Sequence, residues 1–126
     1  LKEKRCSIHS FRPGICRVFP LGRIYEENRL DYFLQVDGCA KENRSKIKVS
    51  RWLDTPELKK NQQYLIDWHA FRKKIKSILG EMSDENQKKT ITMFLLNTFY
   101  INPYDTEQDF YLQFYARLDR IAQVIA

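Results

Sequence analysis

The strongest helical pattern in the chain lies in residues 56–79, whose sequence is PELKKNQQYLIDWHAFRKKIKSIL. Apolar residues recur there at alternating intervals of four and three residues, at Tyr64, Trp68, Phe71, Ile75 and Ile78. This spacing places them on one face of an amphipathic α-helix. Thr55 before Pro56 predicts the cap and first turn of this helix, and Gly80 predicts its end.

Two more segments have the spacing of amphipathic helices. One is predicted to begin at Asp84, where Gln87 completes a capping-box spacing. It should end at Asn102, because the residue before Pro103 avoids helical torsions. The last helix is predicted to begin at Thr106. Its apolar face consists of Phe110, Phe114, Leu118, Ile121 and Ile125. Three such helices with short connections predict a small bundle.

The first part of the chain favours a β-hairpin. Apolar and polar residues nearly alternate over residues 30–36, and residues 23–26 form a second short strand pattern. Residues 26–29 are the predicted turn, Gly38 allows the chain to bend away before Cys39, and Ser50 is a predicted cap of a short turn. The predicted fold class is therefore α+β. A cysteine-bearing head at residues 1–40 would precede a helical extension at residues 41–126 that packs on it.

Composition bounds the class of protein. The chain has 126 residues, which suits one domain or a small domain with a helical appendage. Hydrophobic residues make up 43% of it, enough for a core, and 13% aromatic content argues against disorder. No apolar run approaches the roughly 18 residues of a membrane span. The first five residues are mostly charged, so we expect no secretory leader and a cytoplasmic location.

The chain is basic, with 22 Lys and Arg against 16 Asp and Glu, a net charge of +6. One basic stretch contains Lys41, Arg44, Lys46, Lys48 and Arg51. In a second cluster, Arg72 and Lys76 are expected to share a helix face while Lys73 and Lys74 turn away. Without a single basic stripe, these residues are more typical of a solvated surface. A nucleic-acid-associated module nevertheless stays an alternative function.

Three cysteines lie in the first third of the chain, at Cys6, Cys16 and Cys39. Clustered thiolates bind zinc or iron–sulfur centres, but no Cys-x2-Cys pair is present. The spacing alone therefore leaves three readings open: metal ligands, core thiols, or a Cys6–Cys16 disulfide. His9, three residues after Cys6, is a candidate further ligand. Arg12 either offsets the charge of a thiolate centre or bonds to loop carbonyls and carboxylates, and the same choice holds for Arg17.

Residues 6–20, CSIHSFRPGICRVFP, resemble the second half of the YkgJ-type cysteine-cluster family, which is a zinc- or iron-chelating domain. The family pattern here is roughly Cys-x-Ile-(Tyr/His)-x-x-Arg-Pro-x-x-Cys-Arg-x-(Phe/Tyr)-Pro. It is matched at Cys6, Arg12, Pro13, Cys16, Arg17 and Pro20. The hairpin and Cys39 resemble the family's hairpin and final cysteine, so the resemblance covers about residues 2–40.

The resemblance implies that Cys6, Cys16 and Cys39 bind Zn²⁺ or an iron or iron–sulfur centre. The family's upstream Cys-x2-Cys-x2-Cys-Cys motif is absent from this sequence, which does not begin with Met. We therefore expect the C-terminal portion of a longer bacterial cytoplasmic protein. A closed tetrahedral zinc site would need a fourth ligand. No phosphate loop or catalytic arrangement stands out, so no catalytic residue is predicted. A metal-free helical interaction domain is the remaining alternative.

Overall fold

The computed structural model describes residues 6–38 and 45–125. Its architecture is α+β, as predicted, with one two-stranded antiparallel hairpin and several helices. The chain divides into two compact units, Leu1–Asp67 and Trp68–Ala126. The predicted division into a head at residues 1–40 and an extension packed on it stays a prediction. Cys39 and Lys41 to Arg44 lie outside the described residues.

The first unit opens with two short helical turns, a 3₁₀ turn at His9–Phe11 and helix α1 at Gly14–Val18. Strand β1, Leu21–Glu26, then pairs with strand β2, Arg29–Leu34, from Leu21 opposite Leu34 to Glu26 opposite Arg29. The hairpin is confirmed, and so is its turn at residues 26–29, where Glu26 and Arg29 pair across a four-residue β-turn. Its two central residues are Glu27 and Asn28, and Asn28 has a left-handed φ of 58°.

The end of β2 differs from the prediction. The predicted strand is confirmed over residues 30–34, but its predicted end at Val36 is wrong. Val36–Gly38 forms a 3₁₀ turn, closed by a hydrogen bond from Gly38 N to Gln35 O of 3.0 Å. The last ladder contact is instead the bond from Gln35 N to Pro20 O, at 2.9 Å. Strand β2 therefore ends opposite Pro20, the residue that directly precedes β1.

Helix α2, Val49–Leu53, follows, and its chain reverses at Asp54, which has a φ of 43°. The predicted cap at Ser50 is wrong, since Ser50 lies inside this helix. The predicted cap at Thr55 is also wrong: its Oγ1 donates backwards to Leu53 O at 3.1 Å. Because Glu57 has a positive φ of 49°, the long helix α3 begins only at Leu58.

Helix α3, Leu58–Glu81, runs through Gly80, so the predicted end at this glycine is wrong. A glycine ends a helix when it takes a left-handed torsion, and no glycine in the described residues has a positive φ. Helix α4, Glu85–Leu96, begins as predicted: Asp84 accepts from Asn86 N at 2.8 Å and from Gln87 N at 3.2 Å.

A π-helix at Asn97–Ile101 continues α4, and the chain becomes extended at Asn102, as predicted before Pro103. Helix α5, Phe110–Ile125, begins later than expected. Asp109 rather than Thr106 provides its cap, by accepting from Leu112 N at 2.9 Å.

Aromatic rings form the core of the second unit. Trp68 of α3 lies 4.9 Å from Phe99 and 5.6 Å from Phe114, measured between ring centroids. Phe99 and Phe114 are themselves 5.6 Å apart, and Ile121 of α5 is fully buried. Trp68 and Phe114 lie on the apolar faces predicted for their helices, whereas Phe99 was not part of a predicted face. Within the described ranges, no helix combines the length and the apolar character needed to cross a bilayer.

Candidate metal centre

Two backbone turns set the local shape of the segment that carries Cys6 and Cys16. His9 N donates to Cys6 O at 3.2 Å, which folds the chain back directly after the first cysteine. Pro13 precedes α1, and its carbonyl oxygen accepts from Cys16 N at 2.9 Å and from Arg17 N at 3.2 Å. Proline suits this position because it has no N–H to leave unpaired. Cys16 therefore lies in a short helix, ten residues after Cys6.

Both thiols of this segment are free and exposed. The alternative in which Cys6 and Cys16 pack in a small core is therefore wrong, and so is the Cys6–Cys16 disulfide. Free cysteine is among the most buried residue types in folded proteins, so two exposed thiols within one segment are unusual for a packing role. Thiols at the surface are accessible to a metal ion or an electrophile.

His9 is already engaged by Arg12. The Nη1 of Arg12 donates to the Nε2 of His9 at 3.1 Å. Since arginine has no acceptor, Nε2 must contribute its lone pair, and the ring proton then lies on Nδ1. A metal would need that same lone pair, or a change of tautomer that frees Nδ1. Arg12 thus competes with a metal for His9 and makes this histidine a conditional ligand.

Arg17 contacts α2 instead of a thiol. Its Nη2 donates to Asp54 O at 3.2 Å, just beyond the end of α2. The indole of Trp52 donates to Val18 O at 3.4 Å, and Val18 and Leu53 are buried where α1 and α2 meet. The observed contact of Arg17 therefore corresponds to the structural alternative, in which arginine bonds to a loop carbonyl.

The described residues contain no group of three or more His, Cys, Asp or Glu side chains placed to hold a metal ion. Cys39, the third predicted ligand, lies outside the described residues. The two described thiols and His9 therefore share one segment, without a completed donor set around a common point.

Large apolar side chains beside the thiols are an unpredicted feature of this segment. Phe11 is 88% exposed and Ile15 is 77% exposed, and Ile8 is exposed as well. The segment is too short for a periodic pattern, so the sequence did not indicate which side chains would be covered. Its shape depends on the backbone hydrogen bonds described above, because few of its side chains are buried.

The second basic cluster differs from its prediction. Arg72, Lys73 and Lys76 all line one groove, so the expectation that Lys73 turns away is wrong. Positions 69, 72, 73 and 76 follow the three- and four-residue spacing of a single helix face. Of the four basic residues, Lys74 alone is not part of the groove lining. In the first cluster, Lys46, Lys48 and Arg51 are exposed.

Comparisons of the chain with models of protein families, with curated proteins and with solved structures found no match. The similarity of residues 6–20 to the YkgJ-type family therefore stays a prediction that rests on the matched residues themselves.

Proposed function

We propose that the chain is a metal-chelating protein in which Cys6 and Cys16 are thiolate ligands of a zinc or iron centre. The observation that carries the proposal is that both cysteines are free and exposed within one eleven-residue segment. Cys39 is the proposed third ligand. A zinc, iron or iron–sulfur centre held by these thiolates is the proposed cofactor, and a cytoplasmic location fits because free thiols persist in reducing compartments.

The exposure of the thiols favours chelation over packing. Because Cys6 and Cys16 are free and exposed, a metal ion can reach both sulfurs directly from the solvent. Zinc is typically held by four tetrahedral ligands, and thiolate sulfur is one of its preferred donors. With three cysteines, the fourth position falls to His9, to water or to a donor from another segment. His9 would join only after its bond to Arg12 is released.

The weak side-chain packing of this segment gives a metal a structural role. The segment exposes Ile8, Phe11 and Ile15, so it gains little from burial of apolar surface. Zinc binding to small peptides contributes roughly 10–16 kcal/mol of folding free energy. Coordination by Cys6 and Cys16 would fix the two turns on either side of Pro13. In this proposal the metal maintains the shape of the head, and no reaction is assigned to it.

The test is metal analysis of protein purified without oxygen or added chelator. Metal content is measured for the wild type and for Cys6→Ser, Cys16→Ser and Cys39→Ser, with His9→Gln compared against His69→Gln. The proposal predicts loss of metal in all three cysteine variants and retention in His69→Gln. Native-state labelling with a thiol reagent supplies a second readout: added Zn²⁺ should protect Cys6 and Cys16.

Unchanged metal content in Cys16→Ser would refute the assignment, as would thiol labelling that Zn²⁺ does not slow. The His9 variant separates two versions of the site. Weaker binding in His9→Gln, but not in His69→Gln, would make His9 the fourth ligand. Absorption typical of an iron–sulfur centre would identify iron instead of zinc.

A further inference from the structure

The second unit contains an apolar groove between α3 and the α4–π-helix segment. Its volume is about 640 Å³. Pockets that hold small organic ligands typically have volumes of about 300–1,000 Å³. The apolar walls are formed by Phe71, Ile75, Leu79, Leu95, Leu96 and Tyr100. Along α3 the lining runs from Trp68 to Leu79, which is about 16 Å at 1.5 Å per residue.

Three basic side chains line this groove: Arg72, Lys73 and Lys76. All three are exposed, and none has a hydrogen-bond or ion-pair partner among the residues that the structure describes. No Asp or Glu is among the residues that line the groove. The groove therefore combines apolar walls with a positively charged rim formed by these three side chains. No acidic residue of the lining neutralises that charge.

The π-helix shapes the opposite wall. Thr98 and Phe99 point into the core, while Tyr100 is 66% exposed. The Tyr100 ring lies 6.1 Å from Trp68, and Leu96, one turn earlier, is also exposed. A π-helix shifts the face that its side chains occupy, and such turns often occur at functional sites. Here Tyr100 and Leu96 form an exposed apolar part of the groove wall.

We propose that this groove binds a free anionic amphiphile, a single apolar chain that ends in a carboxylate. The apolar walls would cover the chain, and the carboxylate would pair with Arg72, Lys73 and Lys76 at the rim. The positive charge of these three side chains favours a ligand with a negatively charged headgroup. A neutral ligand would cover the rim without pairing the cations, and a cationic one would repel them. The groove belongs to residues 68–126, so this inference does not depend on the proposed cysteine centre.

The test is calorimetric titration of the full chain with dodecanoate below its micelle concentration. Dodecylammonium and dodecyl maltoside carry the same chain with a positive or a neutral headgroup. We expect dodecanoate to bind about tenfold or more tightly than either. Lys76→Glu and Arg72→Glu should each weaken dodecanoate binding by about tenfold, because each replaces an attractive charge with a repulsive one.

Lys74→Glu is the matched control, because it makes the same charge change on the same helix outside the groove lining. Circular dichroism checks that each variant keeps its helices. Equal binding of the three headgroups would overturn the proposal, and so would equal weakening by Lys74→Glu and Lys76→Glu. An acidic amphipathic peptide that binds more tightly than dodecanoate would also overturn it, by identifying a protein helix as the occupant.

Discussion

The guanidinium of Arg117 lies over the ring of Tyr104, with its central carbon 3.8 Å from the ring centroid. The same group donates from Nη1 to Thr98 O at 2.6 Å and to Asn102 O at 2.8 Å, and from Nη2 to Pro103 O at 2.6 Å. The carbonyls at the end of a helix have no partner within the helix. One side chain of α5 therefore satisfies the backbone at the point where the π-helix ends.

Replacement of Arg117 should destabilise the second unit. Arg117→Met removes three charge-assisted bonds and the contact with Tyr104, and we expect the free energy of unfolding to fall by about 2–4 kcal/mol. Arg117→Lys keeps the positive charge but loses the planar guanidinium. Its free energy of unfolding should therefore lie between that of the wild type and that of Arg117→Met. Urea unfolding measures the effect. Arg120→Met, an exposed position of the same helix, should change stability by no more than about 0.5 kcal/mol.

Periodicity predicted the helices but could not predict Arg117. The three- and four-residue spacing of apolar residues identifies which face of α5 is buried, as Phe114 and Ile121 confirm. The carbonyl acceptors of Arg117 lie 14 to 19 residues earlier in the chain. No local pattern encodes a contact over that separation, and the π-helix has no compositional signature. The arginine therefore looked like an ordinary polar residue of an amphipathic helix.

The same limit applies to the ends of elements and to the candidate site. Glycine is a residue type that often ends a helix, but it does so through a left-handed φ. Gly80 does not have a positive φ, and the helix continues past it to Glu81. The sequence identified Cys6 and Cys16 as chemically notable, yet it could not distinguish exposed thiols from core thiols. That distinction depends on which side chains the tertiary structure covers: Val18 of α1 is buried, whereas Cys16 of the same helix is exposed.

The ionisation of Tyr104 should make stability depend on pH in the alkaline range. Burial raises the pKa of Tyr104 above its ordinary value of 10.0, although the charge of Arg117 acts in the opposite direction. Because the folded-state pKa is the higher one, the neutral phenol favours the folded state. Its contribution is fully present below the unfolded-state pKa and is lost as pH rises through the folded-state pKa.

Urea unfolding on both sides of pH 10.0 provides the measurement. Tyr104→Phe cannot ionise at this position, so it should lose less stability than the wild type over the same interval. Tyr111→Phe is the control, since the ring of Tyr111 contacts Phe110 instead of lying under Arg117. If both variants respond to pH in the same way, Tyr104 is not the titrating group.

Ile121 should be the most sensitive aliphatic position of α5. It is 0% exposed, so Ile121→Ala would leave a cavity that the surrounding side chains can only partly fill. We expect a loss of about 2–5 kcal/mol in the free energy of unfolding. Val124→Ala, three residues later and 65% exposed, should cost about 0.5 kcal/mol or less. Similar losses for the two variants would contradict the packing described for α5.

The cap of α4 provides a test of a single local interaction. Asp84 accepts from two backbone amides in the first turn, so Asp84→Ala should cost about 1 kcal/mol. Asp84→Asn keeps an acceptor oxygen and should cost less. Asp119→Ala removes an exposed carboxylate in the middle of α5 and should be nearly neutral. Thermal unfolding of the three variants checks the order, and an equal effect of Asp84→Asn and Asp84→Ala would argue against capping.

The hairpin turn should depend on the left-handed torsion of Asn28. Alanine at a φ of 58° brings Cβ too close to a carbonyl oxygen, which costs about 1–2 kcal/mol, whereas glycine has no such penalty. Asn28→Ala should therefore destabilise the hairpin and Asn28→Gly should not. Glu27→Ala is the matched control, because its φ is not positive. Amide hydrogen exchange at Gln35, whose N–H closes the ladder on Pro20 O, reports hairpin opening directly. Faster exchange in Asn28→Ala alone is the expected result, and equal exchange in the alanine and glycine variants would contradict it.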